Sequence, residues 1–531
     1  MFEIPELLQA ICRVGELRRH DIYQFIQVCR FWHDAVISIL WEDLGSLVPL
    51  LRLLPEDAWQ LEQRKLRLGR SMQAFVLRRP LSEADWEKVL RHSCFVRYLT
   101  VREHMDKRVL SEQTLELLLQ TQPPSDVFPH LQRLRFEVAF PTTHDKTLLA
   151  MLLSPTTTSL TVSSADDTLI CDYEPIARRC PDIRTLIVNE SYEDENVAPI
   201  SSLNIANAVS KWSGLQTISL RTGPWHPSLV MQLARLRSLS ELTLWIHEDG
   251  DEDPSAGEPA SKDEAAASSF ASLRKLTLGG APVRCVISFL ELLDGSPIEA
   301  ISLAPVLLKH SLDNFQRVLN LTRDHCSADT MRSLQIYFDR EDDEGHWIQT
   351  PLQMQSIRVL SRFRNLEVLC LQANLGVALT DDDYAEAVGW WPKLTSFNVD
   401  TRSLALVSGP IPGTPATPQT LIHFARSCPS LQTLELPLNV TDVPPVDLEL
   451  YRMRSRNHPL RYLFVGDSPI SETDSIALLL SRIFPALEPY DLAYDDGTEW
   501  SEGWPDVCES LRLLARVQAL EDADRSAMEV D

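Results

Sequence analysis

Residues 366–374 read LEVLCLQAN, and residues 431–439 read LQTLELPLN. Both segments have leucine at the first, fourth and sixth positions and asparagine at the ninth. Successive side chains of a strand point to opposite faces, so the fourth and sixth positions share one face. The spacing predicts a short strand with one buried face, followed by a turn whose backbone groups the asparagine can satisfy.

The same spacing of apolar residues recurs along most of the chain, with starts 24 to 37 residues apart. An aromatic residue or cysteine followed by proline introduces several copies, as at Cys180-Pro181, Trp391-Pro392 and Cys428-Pro429. Proline cannot continue a helix, so each unit is predicted to be a helix, a turn and a strand. The copies start at Val96, Leu131, Thr157, Ile183, Leu215, Leu239, Leu273, Ile298, Met331, Leu366, Leu394, Leu431, Leu460 and Leu487.

These copies resemble the leucine-rich repeat. A single unit cannot bury its apolar face alone, and stacked units form a continuous core with a parallel sheet. The resemblance implies an α/β fold, namely an irregular leucine-rich-repeat horseshoe of the ribonuclease-inhibitor-like solenoid kind. The alternative is a globular α/β domain in which the leucine spacing is coincidental.

The first residues have a different pattern. Residues 4–44 read IPELLQAICRVGELRRHDIYQFIQVCRFWHDAVISILWEDL, and three short amphipathic helices are expected there. Leu7, Leu8 and Ile11 have helical spacing in the first, and Asp21 is placed as N-cap of the second. The third is expected over residues 31–44. Three helices of this size bury little surface, so such a module usually needs a partner.

This stretch resembles an F-box, a family whose pattern is Leu-Pro, Glu-Leu, an apolar helix, Val-Cys-Arg-x-Trp and a later Trp. The matching parts are Ile4-Pro5, Glu6-Leu7-Leu8-Ile11, residues 28–32 and Trp41, with Ile4 replacing the usual leucine. The resemblance implies docking on a Skp-type adaptor. The residues expected to bind the adaptor are Ile4, Pro5, Leu7, Leu8, Ile11, Val28, Cys29 and Trp32.

An F-box followed by leucine-rich repeats is the architecture of substrate receptors in SCF-type cullin–RING ubiquitin ligases. The layout, including the segment from Arg79-Pro80-Leu81-Ser82 to Asp85-Trp86, is similar to the large F-box-like families of mushroom-forming fungi. The resemblance implies a non-catalytic subunit in ubiquitin-dependent protein degradation, cytoplasmic and/or nuclear. The alternative is a ubiquitin-independent repeat scaffold or regulator.

The chain of 531 residues has a formal net charge of −25, which argues against nucleic-acid binding. It contains no apolar stretch long enough to span a membrane and no secretory signal pattern. Ten cysteines without metal-type spacing favour a reducing compartment. No nucleophile–base set, metal-ligand set or cofactor motif is present, so neither a hydrolytic enzyme nor a cofactor is expected.

Four regions are expected from these patterns. They are an F-box-like helical module (1–58), a helical linker (59–95), the repeat solenoid (96–495), and a capping helix with an acidic tail (496–531). Two insertions are expected inside the solenoid. Residues 248–269 are rich in acids, alanine and serine, and residues 408–418 (SGPIPGTPATP) are rich in proline. The closing helix is expected over residues 502–520, with Pro505 in its first turn.

The target is expected to be a protein segment, more basic than acidic, bound on the inner strands between Leu366 and Val465. This placement rests on the rigid surface that a solenoid offers and on the acidic remainder of the chain. The adaptor, bound at the N-terminal helices, is expected to obstruct the first repeats. The residues expected to contact the target are Glu367, Gln432, Glu435, Arg461 and Phe464, with Cys370 beside them.

Overall fold

The computed structural model divides into two compact units, Met1–Glu258 and Pro259–Asp531. The residues that it describes are 5–14, 17–65, 71–103, 110–138, 142–164, 173–188, 202–222, 227–246, 270–303, 312–337, 352–372, 377–399, 416–443, 458–466, 468–488, 492 and 503–528.

The first unit begins with three helices, which are α1 (Pro5–Val14), α2 (Arg19–Ile26) and α3 (Arg30–Glu42). Next come β1 (Asp43–Leu44), the short α4 (Val48–Leu51), β2 (Trp59–Lys65), β3 (Ser71–Leu77) and α5 (Glu83–Ser93). Strands and helices then alternate as β4 (Tyr98–Glu103), α6 (Glu112–Leu119), β5 (Arg133–Val138), α7 (Thr143–Leu152), β6 (Ser159–Ser164), α8 (Glu174–Arg179), β7 (Thr185–Val188), α9 (Ser202–Val209), β8 (Thr217–Thr222), α10 (Pro227–Ala234) and β9 (Glu241–Ile246).

The second unit continues the alternation. Its elements are β10 (Lys275–Gly279), α11 (Val283–Glu291), β11 (Ala300–Leu303), α12 (Leu312–His325), β12 (Ser333–Tyr337), α13 (Met354–Ile357), a 3₁₀ helix (Arg358–Arg362), β13 (Val368–Gln372), α14 (Asp381–Val388), β14 (Ser396–Val399), α15 (Gln419–Ser427), β15 (Thr433–Glu435), β16 (Tyr462–Phe464), α16 (Thr473–Ile483) and α17 (Trp504–Met528).

The described residues contain fourteen parallel strands, seven in each unit. In the first unit the order is β1, β4, β5, β6, β7, β8 and β9, and in the second it runs from β10 to β16 in chain order. Within each unit, neighbouring strands of this order pair in register, as in Leu334↔Leu369↔Phe397↔Leu434↔Leu463. Within each unit this sequential order is that of a parallel-strand repeat array, since each repeat lies beside the next one in the chain.

The apolar repeat positions form the cores of the two units. In the first thirteen copies these side chains are at most 4% exposed, and most are fully buried. The helices end where the sequence predicts, because α8 ends just before Cys180 and α15 just before Cys428. The predicted repeat of helix, turn and strand is therefore confirmed in the described residues. The continuity of the array across both units, and its horseshoe curvature, stay predictions.

Large aromatic side chains fill the second unit's core between helix and strand. Tyr384 of α14, Phe397 of β14 and Phe424 of α15 have ring centroids 5.0 to 6.3 Å apart. The ring centroids of Trp391 and Phe397 are 6.4 Å apart. The indole N–H of Trp391 donates to the carbonyl of Leu360 at 3.3 Å. A buried indole needs such a partner, so this bond fixes one repeat against the preceding one.

The prediction of a helical linker over residues 59–95 is wrong for its first half. β2 and β3 form an antiparallel hairpin in which Trp59 pairs with Leu77 and Lys65 with Ser71. Trp59 also stacks on Phe75, with ring centroids 5.3 Å apart. Only α5, in the second half, is helical.

Three boundaries also differ from expectation. A short strand, β1, precedes the first predicted repeat and pairs with Tyr98 and Leu99, so α3 leads directly into the sheet. Asp21 is not the N-cap of α2 but its third residue, and its carboxylate accepts a bond from the backbone N–H of Arg18 at 3.0 Å. The closing helix α17 is confirmed but extends to Met528. Residues 248–269, Tyr490 and most of 408–418 lie outside the described residues.

Candidate functional site

The three N-terminal helices pack around a small apolar core. Phe25 of α2 and Trp32 of α3 border it, with ring centroids 5.1 Å apart. The side-chain amide of Gln9 donates to the carbonyl of Ala35 at 2.9 Å and so fixes α1 against α3. The buried members of this core are Leu8, Cys12, Ile22, Ala35 and Val36.

Several large apolar side chains of the same helices stay exposed. Leu7 (45%), Ile11 (44%) and Val14 (81%) have the spacing of one helical face on α1, and Tyr23 and Val28 are 48% and 63% exposed. Five of the eleven exposed large apolar side chains among the described residues therefore lie in the first 28 residues. We call these five residues the N-terminal apolar group. Exposed apolar side chains concentrated in this way are typical of a docking surface.

The structure separates the predicted adaptor-binding residues into two sets. Leu8 is 3% exposed and belongs to the core, so its assignment to a docking surface does not fit the structure. Trp32 is half-buried, and Ile4 lies outside the described residues. The exposed members are Pro5, Leu7, Ile11, Val28 and Cys29.

The Val-Cys-Arg-x-Trp string lies across a turn and not within one helix. α2 ends at Ile26, and Val28 follows in a turn in which its N–H donates to Phe25 O at 3.2 Å. Cys29 is extended and caps α3, since its carbonyl accepts from the N–H of His33 at 2.9 Å. The turn exposes Val28 and Cys29 together, while Trp32 packs one turn into α3.

The segment from Arg79 to Trp86 has a structural role. Asp85, the third residue of α5, accepts bonds from the Ser82 backbone N–H (2.9 Å), the Ser82 hydroxyl (2.7 Å) and Arg79 Nη1 (2.6 Å). Ser82 Oγ in turn accepts from the N–H of Asp85, which completes a capping box. Hydrogen bonds from Arg79 and Ser82 lower the pKa of Asp85 to about 2, against the burial that would raise it.

Asp85→Asn should lower the free energy of unfolding at neutral pH by about 1–2 kcal/mol, because it removes a charged cap. The ordinary pKa of Asp is 3.8, so this contribution is complete above pH 3.8 and is lost as the pH falls towards about 2. Urea denaturation across that range measures both effects. Glu83→Gln, at an exposed acid in the same turn, is the matched control for the loss of one negative charge. If the free energy of unfolding of Asp85→Asn fell below pH 3.8 as steeply as that of the wild type, the Asp85 carboxylate would not be the source of this stability.

The predicted target-binding residues fall into two rows of the second unit. Glu435 and Phe464 lie on the strand face opposite the core and are register partners. They end a row, which we call the strand-face row, that consists of Gln335, Cys370, Asn398, Glu435 and Phe464. Glu435 and Phe464 are half-buried, whereas Cys370 is only 3% exposed. Cys370 therefore contributes little surface, contrary to expectation.

Glu367, Gln432 and Arg461 lie one residue before their strands. We call their row the strand-start row, and in it each backbone N–H donates to the carbonyl of the preceding repeat at 2.7 to 2.9 Å. The Glu367 carboxylate also accepts a bond from Arg332 at 2.6 Å. That ion pair offsets the charge of Glu367. The row consists of Arg332, Glu367, Thr395, Gln432 and Arg461.

Sequence reasoning missed several residues of these surfaces, among them Val14, Tyr462 and Asn398. Val14 lies seven residues after Leu7, so its helical period could have identified it. Tyr462, which is 55% exposed, shares a strand face with Phe464 and could have been found by alternation along β16. No sequence pattern identifies Asn398 as a surface residue, because its position beside Glu435 depends on the register between β14 and β15.

Three of the cysteine thiols are buried between helix and strand. Burial raises the pKa of Cys180 to about 11 and the pKa values of Cys326 and Cys428 to about 12, so these thiols stay protonated at neutral pH. Cys29, in contrast, is exposed. Among the described residues no group of His, Cys, Asp and Glu has the arrangement of a metal site, and no cysteine is in a disulfide.

No helix in the described part of the chain is both long and apolar enough to cross a membrane.

No protein-family model matches the sequence, and no curated protein matches it. Among 94 matching chains of solved structures is the crystal structure of the TLR13-ssRNA13 complex, with 12% sequence identity and a TM-score of 0.33. The match covers 77% of this chain and 54% of that one, so the chain spans about half the length of its structural neighbour.

Proposed function

We propose that this chain is an F-box receptor, the substrate-recognition subunit of an SCF-type cullin–RING ubiquitin ligase. In this proposal the N-terminal helices bind the Skp-type adaptor and the leucine-rich repeats hold a target protein. The observation that carries it is the N-terminal apolar group, which lies on the helices whose sequence resembles an F-box. The fungal F-box-like families and a cytoplasmic or nuclear location belong to the same proposal.

The adaptor end is supported by the division of α1 into two apolar faces. Leu8 and Cys12 already complete the internal core, so Leu7, Ile11 and Val14 are not needed for it. Exposed aliphatic side chains on a rigid helix can anchor a partner because they lose little conformational entropy on binding. Val28 and Cys29, exposed at the turn between α2 and α3, add a second contact point on the same small module.

The target end is supported by the repeat architecture. Strand-face side chains are held in register by the sheet and need not fill the core, so they can be used for recognition. Glu435, Phe464 and Tyr462 together provide negative charge and aromatic surface. This composition suits a protein segment that carries basic residues.

Mixing the purified full chain with a recombinant Skp-type adaptor tests the proposal. We expect the two proteins to elute as one complex in size-exclusion chromatography. The ubiquitin-independent scaffold or regulator has no use for these helices and predicts separate elution. Separate elution of a chain with a normal circular dichroism spectrum would therefore overturn the receptor proposal.

Glu435→Arg combined with Phe464→Ala should abolish target binding and leave adaptor binding intact. The double variant reverses the charge and removes the ring at two register partners in β15 and β16, far in sequence from the N-terminal helices. Targets would first be identified as proteins that accumulate when residues 1–44 are deleted. Retention of the targets by the double variant would contradict this placement. Glu509→Arg, at an exposed acid of α17, is the control for the change in net charge.

A further inference from the structure

The sheet of the first unit has exposed arginines on the strand face opposite the core. Arg133 and Arg135 alternate in β5 with fully buried side chains, so both point away from the core. Arg102 is exposed on the same face of β4, because the residue before it, Val101, is buried. We call Arg102, Arg133 and Arg135 the arginine cluster. The chain as a whole has a net charge of −25, so a basic group of this kind is a local exception.

Glu137 neutralises the arginine cluster only in part. Arg102 and Arg135 each donate from Nε to a different oxygen of the Glu137 carboxylate. Two positive charges therefore share one negative charge, and the ion pairs hold both guanidinium groups in place. Each guanidinium has further N–H donors on Nη1 and Nη2. The side chains of Arg102 and Arg135 are 46% and 49% exposed, so a ligand can reach these donors from solvent.

Arg133 is oriented by an aromatic ring. Its Cζ atom lies 5.2 Å from the ring centroid of Tyr98, its register partner in β4. The ring is neutral, so it attracts the guanidinium without cancelling its charge. Among the described residues Arg133 forms no salt bridge. The charge of Arg133 therefore adds to the excess that Glu137 leaves on the other two arginines.

Hydroxyl groups lie beside the arginines on both sides. Thr100 in β4 and Thr161 in β6 are the register partners of Arg135, and Ser159 in β6 is the register partner of Arg133. All three are half-buried on the same strand face, and neighbouring strands are about 4.8 Å apart. A hydroxyl can donate to an anionic oxygen, and an arginine fork can donate to both oxygens of one carboxylate. The surface thus combines positive charge with neutral donors.

We propose that Arg102, Arg133 and Arg135 form a docking surface for an acidic protein segment, whose Asp or Glu carboxylates they bind. The carboxylates of an extended segment lie on one side at every second residue, roughly 6.6 Å apart. Arg133 and Arg135 have the same spacing on β5, so they can each take one carboxylate. The acidic remainder of the chain repels such a segment and so directs it to this face. The inference goes beyond the receptor proposal and does not depend on adaptor binding.

The test is fluorescence anisotropy with the full chain and a labelled peptide of Glu-Ser repeats, compared with Gln-Ser repeats. We expect the wild type to bind the Glu-Ser peptide more tightly. Arg133→Gln combined with Arg135→Gln should weaken that binding at least tenfold, the scale of losing two charge-assisted pairs at a surface. Arg135→Lys keeps the charge but loses the fork, so its affinity should lie between those of the wild type and the double variant.

Arg235→Gln combined with Arg237→Gln is the matched control. It removes two exposed arginines, also two residues apart, from the turn between α10 and β9 of the same unit. The control should keep wild-type affinity. Equal losses in both double variants, or unchanged binding by the cluster variant, would overturn the docking surface. Tighter binding of a single-stranded oligonucleotide of equal length would replace the protein segment by a nucleic acid. Melting temperatures verify folding, and Arg135→Lys still tests the surface if the double variant does not fold.

Discussion

Leu434→Ala should lower the free energy of unfolding of the second unit by about 2–5 kcal/mol, the range for truncating a buried leucine. Leu434 is fully buried in β15, and its register partners on the core side are Phe397 and Leu463. These neighbours belong to a regular sheet and cannot move in to fill the space, so a cavity remains. Leu369→Ala, at a residue 1% exposed between Leu334 and Phe397, should have a loss in the same range.

Chemical denaturation followed by tryptophan fluorescence measures this loss, and Trp391 in the same core is a suitable reporter. Leu478→Ala is the matched control, because it makes the same substitution at a leucine of α16 that is 38% exposed. Its effect should be below about 1 kcal/mol, as for most exposed positions. Equal losses at Leu478 and Leu434 would show that the repeat leucines do not form the core.

The repeats could be predicted from sequence because each one repeats the same local information. Leucines such as Leu369 and Leu434 recur with a spacing that identifies the strand and its buried face. Parallel pairing to the next repeat then follows without knowledge of distant contacts. The order of the strands in both units agrees with this reasoning.

The hairpin of β2 and β3 was missed because its sequence is not repeated elsewhere and has no single clear period. Trp59 and Leu61 alternate with polar residues, as in a half-exposed strand, yet the whole segment 59–95 was expected to be helical. In β3, the consecutive residues Ala74–Leu77 are all buried, so no period is visible there. β1 has two residues and is defined by its pairing with Tyr98 and Leu99, which local sequence does not contain.

The candidate surfaces could be predicted only in part, because helical spacing alone does not show which apolar face meets the core. In α1 both faces are apolar. Leu8 and Cys12 turn inward, while Leu7 and Ile11 stay exposed. The packing of α1 against α3 decides between them, and that packing depends on contacts between residues far apart in the chain. The same limit applied to Asn398, whose partner Glu435 is 37 residues away.

Val28→Asp should abolish capture of the Skp-type adaptor in a pull-down. Val28 is 63% exposed at the turn between α2 and α3, so the free protein can solvate the new carboxylate and should fold normally. The cost arises on binding, when an adaptor covering this turn would bury an unpaired charge. Loss of a central apolar anchor alone is worth about 2 kcal/mol or more, and the charge adds to it.

Leu61→Asp provides the comparison that makes this result specific. Leu61 is an exposed leucine (40%) of the same unit, but it lies on β2 and outside the three helices. Both substitutions place one aspartate at an exposed apolar position, so they change net charge and solubility alike. If the N-terminal apolar group binds the adaptor, Val28→Asp loses capture and Leu61→Asp retains it. Undiminished capture by Val28→Asp would remove the turn from the adaptor interface, whereas loss in both variants would place the contact on a wider face that includes the hairpin.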